Sequence, residues 1–276
     1  MPHTFRQNIA RLCQRGFGAA LLLSGLCSAA AAQDHPPAAL RHFGVERGDF
    51  RAELADGRIL RGADLVGAEL RILQDGRPLT LRIDSAEADT RPHAGDVWLF
   101  HLTFAGANGT RQDYCLPDPE GRSRAIPYPS PAEPQGFAIT CSAGAIGKCL
   151  RFGYRPWAEA PDGRSLAPYF PACVNMVRAA YGHAERGWTR DGMRIDFWDD
   201  AGLHEPGDDP ELLFEAGWTP GGAVCVAHTR VAEHGSVADV VREAPALAGH
   251  VGPEACNEAT ARAAGALIFN RSRRAP

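Results

Sequence analysis

Between residues 48 and 115 apolar and polar positions alternate in short runs. Phe50 to Leu54, Asp64 to Leu73, Leu79 to Ile83 and Val97 to Phe104 each predict a strand. Asp56-Gly57 and Asp75-Gly76 separate them and Asn108-Gly109 follows the last, the dipeptides that favour tight turns between strands. Gly62 to Leu70 imitates two pentapeptide repeats, but a solenoid needs many more coils to bury a core, so it reads as ordinary strand.

The pattern changes after Cys115. Residues 116–135 are rich in proline and glycine and predict a connection short enough for its flanks to pack together. Phe137 to Cys141 and Ile146 to Phe152 read as strands. Cys173, Met176, Val177 and Ala180 fall on one helical face that should be buried, with Cys173 bridged inward. Asp191-Gly192 predicts a turn into a strand where Met193, Ile195 and Phe197 alternate with Arg194, Asp196 and Trp198. Asp209-Pro210 has the form of a helix start carrying Leu212, Leu213 and Ala216, Ser236 that of a cap, and Ala-rich Glu254 to Phe269 that of a helix. The expectation is an α+β fold: an N-terminal antiparallel β unit (48–115) packed on a disulfide-rich mixed α/β domain (136–270).

The start of the chain has a different character. Arg6, Arg11 and Arg15 precede an apolar stretch, Gly16 to Leu26, of signal-peptide length, and Ala30 and Ala32 supply an A-x-A site. Residues 1–32 read as a signal peptide cleaved between Ala32 and Gln33, followed by a leader to residue 47. Cys27 offers a lipoprotein alternative, against which bulky Leu26 stands where a small residue is wanted. Export to the periplasm or the extracellular space follows, and no later run approaches the roughly 20 apolar residues of a membrane helix. Residues 1–32 hold three of the 29 basic side chains and none of the 33 acidic ones, so a chain starting at Gln33 has a formal charge of −7. That argues against nucleic acid as a partner. Six cysteines remain, Cys115, Cys141, Cys149, Cys173, Cys225 and Cys256, an even number in an oxidising compartment without a C-x-x-C pair. Disulfides are the expectation, with the pairing open.

The residues offer little chemistry. G-x-S-x-G, H-E-x-x-H, the EF-hand loop and G-x-G-x-x-G are all absent, and no cofactor is called for. Gly147-Lys148 holds the only lysine, but a P-loop would need glycine at Ser142 and Ser or Thr at Cys149, so a strand-edge lysine is the reading. Asp191, Asp196, Asp199 and Asp200 are the candidates for a hard cation, weighed against a solvated hairpin; Asp196 and Asp199 converge only if the strand bends after Trp198. His183, Glu185, Asp196 and His228 are the candidate acid–base groups, and a disulfide at Cys225 would deny His228 a thiol partner. Trp157, Trp188, Trp198 and Trp218, with Tyr154, Tyr169 and Tyr181, can line a carbohydrate or peptide groove or pack a core, and the core is favoured.

Thr140-Cys141-Ser142 through Lys148-Cys149-Leu150 to Tyr154-Arg155-Pro156-Trp157, then Ala172-Cys173-Val174-Asn175 to Tyr181-Gly182, then Thr189-Arg190-Asp191-Gly192, resemble the ADYC domain family from about Asp113 to Cys256. Phe214 to Trp218 and Gly222 to Cys225 fit the same pattern. Where the resemblance calls for Ala-Asp-Tyr-Cys the chain has Ala179-Ala180-Tyr181-Gly182, so acid and cysteine are both replaced. Gln112-Asp113-Tyr114-Cys115 looks nearer the motif but precedes Cys141, in the wrong place in the order. If relatives bridge the motif cysteine, its partner is missing here too. The resemblance implies an exported domain and carries no catalytic residues. The expectation is a binding or interaction module for a protein or carbohydrate ligand, with Arg178 and Tyr181 as structural anchors. The alternative is an exported hydrolase using His or carboxylate groups between 181 and 200.

Overall fold

This computed structural model describes residues 38–273 apart from 75, 107, 134 and 183–185. The Ala32–Gln33 junction, His183 and Glu185 lie outside the described residues.

Leu40–Glu46 (β1), Asp49–Leu54 (β2) and Ile59–Arg61 (β3) form a three-stranded antiparallel sheet. The leader thus already supplies an edge strand. Glu69–Gln74 (β4), Arg77–Ala88 (β5), Trp98–Ala105 (β6), Arg111–Asp113 (β7), Ala125–Pro129 (β8) and Phe137–Cys141 (β9) make a second antiparallel sheet. Its order is β4-β5-β6-β8-β9, with β7 also on β6. The two sheets close over Phe50, Leu65, Leu81, Ile83, Phe100 and Phe137. Phe50 stands edge-on to Phe100 with ring centroids 4.8 Å apart. This sheet does not end at Cys115: residues 116–135 contribute β8, β9 follows, and Cys115 is bridged to Cys141 at the end of β9.

Ala145–Arg151 (α1), Tyr169–Arg178 (α2), Ile195–Asp199 (β10), Leu213–Thr219 (β11), Gly222–Val226 (β12), Val237–Glu243 (α3), Glu258–Ala263 (α4) and Ile268–Ser272 (β13) build the rest. The strands form an antiparallel sheet ordered β10-β13-β11-β12, so the last strand inserts between the first two. The mixed α+β fold expected from the pattern is the fold observed, with disulfides Cys115–Cys141, Cys149–Cys173 and Cys225–Cys256. Cys173 and Met176 are wholly buried on α2, and Cys173 is bridged inward to α1.

Four elements differ from expectation, each for a local reason. Ile146 to Phe152 is helix α1 rather than strand. Ile146, Cys149 and Leu150 are spaced i, i+3, i+4, the helical period, and Lys148 accordingly sits on a helix. Asp64 to Leu73 begins as a 3-10 turn over Gly62–Leu65 before β4, because Gly62 takes φ +45° under the Trp98 ring, where a Cβ would stand 2.5 Å from the indole. The segment after Pro210 is strand β11. Asp209 Oδ1 accepts the Glu211 amide at 2.9 Å, which makes a turn, and Glu215 to Trp218 are buried in the middle of the sheet. Glu254 to Phe269 is helical only in α4: Asn257 caps it, and Gly265 at φ +82° ends it and feeds β13. Ser236 does cap α3, in a capping box with Asp239.

The two sheet regions meet along a seam. Ala94, Val97, Leu99 and Ile126 pack on Leu150 of α1. Beside them Arg151, 3% exposed, donates from Nε to Asp89 at 2.6 Å, and its Nη1 lies 3.6 Å from Asp118. A charge buried this deeply needs such partners, and losing one strands the other.

Candidate functional site

Two polar clusters stand out. The first is closed. Glu215 on β11 and Arg230 after β12 are wholly buried side chains. Arg230 donates to both Glu215 oxygens, at 3.0 and 2.9 Å, to the carbonyls of Met176 and Val177 at 2.8 and 3.1 Å, and to Thr189 Oγ1 at 3.3 Å. All five guanidinium protons have acceptors. Glu215 also accepts from Tyr181 Oη at 3.0 Å and Asn270 Nδ2 at 2.8 Å, while Tyr181 Oη accepts the Arg230 amide at 2.9 Å. Asn270 Oδ1 in turn accepts from Trp218 Nε1 at 2.7 Å. Burial alone would push the Glu215 carboxyl up. The Arg230 charge and the hydrogen bonds from Arg230, Ser272 and Asn270 outweigh it and hold the pKa below the ordinary carboxylate value. Burial, and then the Glu215 charge, push the Tyr181 phenol well above its usual range.

His228 enters the same network, its Nε2 3.1 Å from Ser272 Oγ. The trio His228, Ser272 and Glu215 contains the residue types of a hydrolytic triad in another wiring. Glu215 bonds the serine, where a triad carboxylate orients the histidine, and Ser272 is wholly buried. Cys225 beside it is in a disulfide, so no thiol is there for His228 to activate.

The acidic candidates are distributed rather than gathered. Asp199 accepts from Tyr154 Oη at 2.7 Å and from the amides of Ala201, Leu203 and His204 at 2.9–3.1 Å. Asp200 takes Tyr169 Oη at 2.5 Å and Arg164 at 3.2 Å. Asp196 accepts the Gly207 amide at 3.0 Å and lies 4.0 Å from Arg271, and Asp191 is exposed in its turn. Among the described residues no group of three or more His, Cys, Asp or Glu is placed to hold a metal ion. Trp188, Trp198, Trp218, Tyr154, Tyr169 and Tyr181 are buried in the core, and Trp157 is half-buried.

The second cluster is open. A cleft of about 310 Å³ lies where the 92–95 loop meets the 153–166 segment, lined by His93, Gly95, Arg155, Glu159, Leu166 and Leu203 among others. Arg155 Nη1 donates to Asp96 Oδ1 at 2.5 Å, whereas its Nε is buried without a partner. Behind His93, at 4.7 Å between ring centroids, His204 Nε2 bonds the Phe152 carbonyl at 2.7 Å. Burial pulls the His204 pKa below the ordinary imidazole value, which favours the neutral ring.

A family model of the ADYC domain matches residues 62–232, more than half of the chain. The chain belongs to the ADYC domain family. The match reaches further toward the N-terminus than the signature stretch beginning near Asp113, taking in the second sheet, and stops short of Cys256. No curated protein and no solved structure matches the chain. The ADYC motif position, Ala179 to Gly182, is the buried exit of α2. Ala179 caps the helix at φ +50°, Tyr181 enters the Glu215 network, and a Cβ on Gly182 would stand 2.4 Å from that of Ala244. Arg155 lies within the family's Tyr154 to Trp157 stretch. Its pairing with Asp96, 59 residues away, leaves no local sequence signal. Glu215 did leave one, a lone acid inside the apolar run Leu212 to Trp218.

Proposed function

We propose that this ADYC domain protein is exported and serves as a binding module whose ligand enters the cleft between His93 and Leu203. The observation that carries the reading is the contrast in hydrogen bonding. Asp196, Asp199, Asp200 and His228 are committed to internal partners, whereas the cleft wall keeps a buried Arg155 Nε without one. Export is supported by the basic and apolar residues of 1–32, by the A-x-A site, and by three disulfides, which persist in oxidising compartments. Among the described residues no helix is long and apolar enough to cross a membrane. The cleft holds about 310 Å³ and is more open than enclosed, which favours one small group of a ligand over a fully engulfed molecule.

The test is calorimetric titration of the oxidised chain from Gln33 with hexanoate, glucose and glycylglycine, each repeated on Leu203→Trp, which fills the cleft. Binding of at least one probe, lost in a Leu203→Trp protein with unchanged circular dichroism, is the expected result. Probes that bind both proteins equally, or bind neither, would remove the cleft from the account.

A further inference from the structure

We infer that the ligand received in this cleft carries a carboxylate on a short apolar chain, and that Arg155 is the residue that binds the carboxylate. The inference rests on the reading of the cleft as a ligand site and adds the chemistry of its occupant.

Arg155 is held in place before any ligand arrives. Asp96 accepts its Nη1 and is itself fixed by Trp157 Nε1, 3.2 Å from both carboxylate oxygens. The guanidinium lies directly on Gly95: a Cβ there would stand 1.8 Å from Nη1 and 2.4 Å from Cζ. Gly95 also takes φ +61°, so both its backbone and its missing side chain suit this approach. A group fixed in this way loses little freedom on binding, which is the advantage of preorganisation.

Arg47 also reaches the Asp96 carboxylate, at 3.5 Å, and exposed Glu159 lines the cleft, so two carboxylates balance the two guanidinium groups and the preference for an anion rests on the hydrogen-bond geometry of Arg155. With Nη1 spent on Asp96, the Nε–Nη2 edge of the fork remains. That edge matches a carboxylate in two parallel hydrogen bonds; Nε there lacks an acceptor but is closed to solvent, so the bond to it forms only once the wall around Arg155 shifts. Pro92, Pro161, Leu166 and Leu203 supply apolar wall for a chain of a few carbons.

The deciding comparison is hexanoate against hexanamide, which share a shape and differ in charge, titrated into the oxidised chain. Hexanoate is expected to bind at least about tenfold more tightly, the scale of a charge-assisted hydrogen bond. Arg155→Gln should abolish that preference by weakening hexanoate and sparing hexanamide, and Arg155→Lys should keep part of it. Equal affinity for the two probes in the wild-type protein, with both lost in Leu203→Trp, would overturn the carboxylate assignment and leave the cleft as a binding site. Failure of every probe in both proteins would overturn the assignment and the cleft together. The wild-type comparison needs no substitution, so it decides even if Arg155→Gln does not fold.

Discussion

Arg230 and Arg155 are both arginines held by a carboxylate, Glu215 fifteen residues before the first and Asp96 fifty-nine before the second, yet their surroundings differ in one respect. Arg230 is wholly buried and each of its five N–H groups meets an acceptor, whereas Arg155 borders a cleft with one buried N–H unmet. A completed network rigidifies the fold and has nothing left to offer a ligand. An incomplete one beside open space carries a desolvation cost that an incoming acceptor can relieve. The difference separates a structural centre from a recognition site without appeal to any catalytic motif.

Breaking the completed network should have the largest effect. Arg230→Met leaves the Glu215 charge buried and uncompensated, and a loss of about 3–5 kcal/mol is expected in chemical denaturation. A loss under about 1 kcal/mol would show that Glu215 and Arg230 do not hold the C-terminal sheet to α2. Next comes the Cys149–Cys173 bridge that ties α1 to α2 across the cleft's supporting wall. Replacing both cysteines with serine should cost about 2–4 kcal/mol. Intact mass of the wild-type protein after alkylation without reductant should show no free thiol among the six cysteines.

Asp49 sharpens the comparison, because it is a buried carboxylate with the opposite pKa direction from Glu215. Burial pushes it up to about 6, and the Gly62 amide at 3.1 Å and the Arg61 charge only partly offset this. An acid whose folded pKa is raised binds more protons folded than unfolded, so its contribution to stability grows as pH falls from about 6 toward 3.8, the unfolded value. Asp49→Asn should therefore gain about 1–3 kcal/mol relative to wild type at pH 7, with the gain shrinking through that window. A difference that stays flat between pH 7 and pH 4 would contradict the shift. The smallest effect on stability is expected at the cleft itself. Gly95→Ala should cost about 1–2 kcal/mol for its positive φ, yet weaken hexanoate binding strongly, because the methyl displaces the Arg155 guanidinium.

Much of the fold was legible where one physical signal dominated. The Asp56-Gly57 turn, the strands through Phe50 and Phe100, and the buried face of Cys173 and Met176 follow from turn chemistry and periodicity. Reading failed where a tertiary contact overrode the local pattern. Gly62 bends under Trp98, and β11 sits inside a sheet between β12 and β13 with α2 and α4 packed on its faces, so its apolar run has no alternation to betray a strand. The candidate site was less legible still. Tyr181 is legible as an anchor on a half-buried helix, although α2 ends at Arg178, but Arg155 and Asp96 meet only because α1 docks on the 89–97 loop. The histidine and carboxylate candidates drew attention by chemical type, and type cannot reveal that the fold spends Asp199 on four internal donors.

The claim that recognition resides at Arg155 and not in the buried network is tested most directly by amide chemical-shift mapping of the ¹⁵N-labelled, oxidised chain during a hexanoate titration. The account predicts saturable shifts at Gly95, Gly153 and Leu203 while Gly217 and Asn270 stay still. Shifts concentrated around Gly217 and Asn270, or scattered over the surface without saturation, would contradict it.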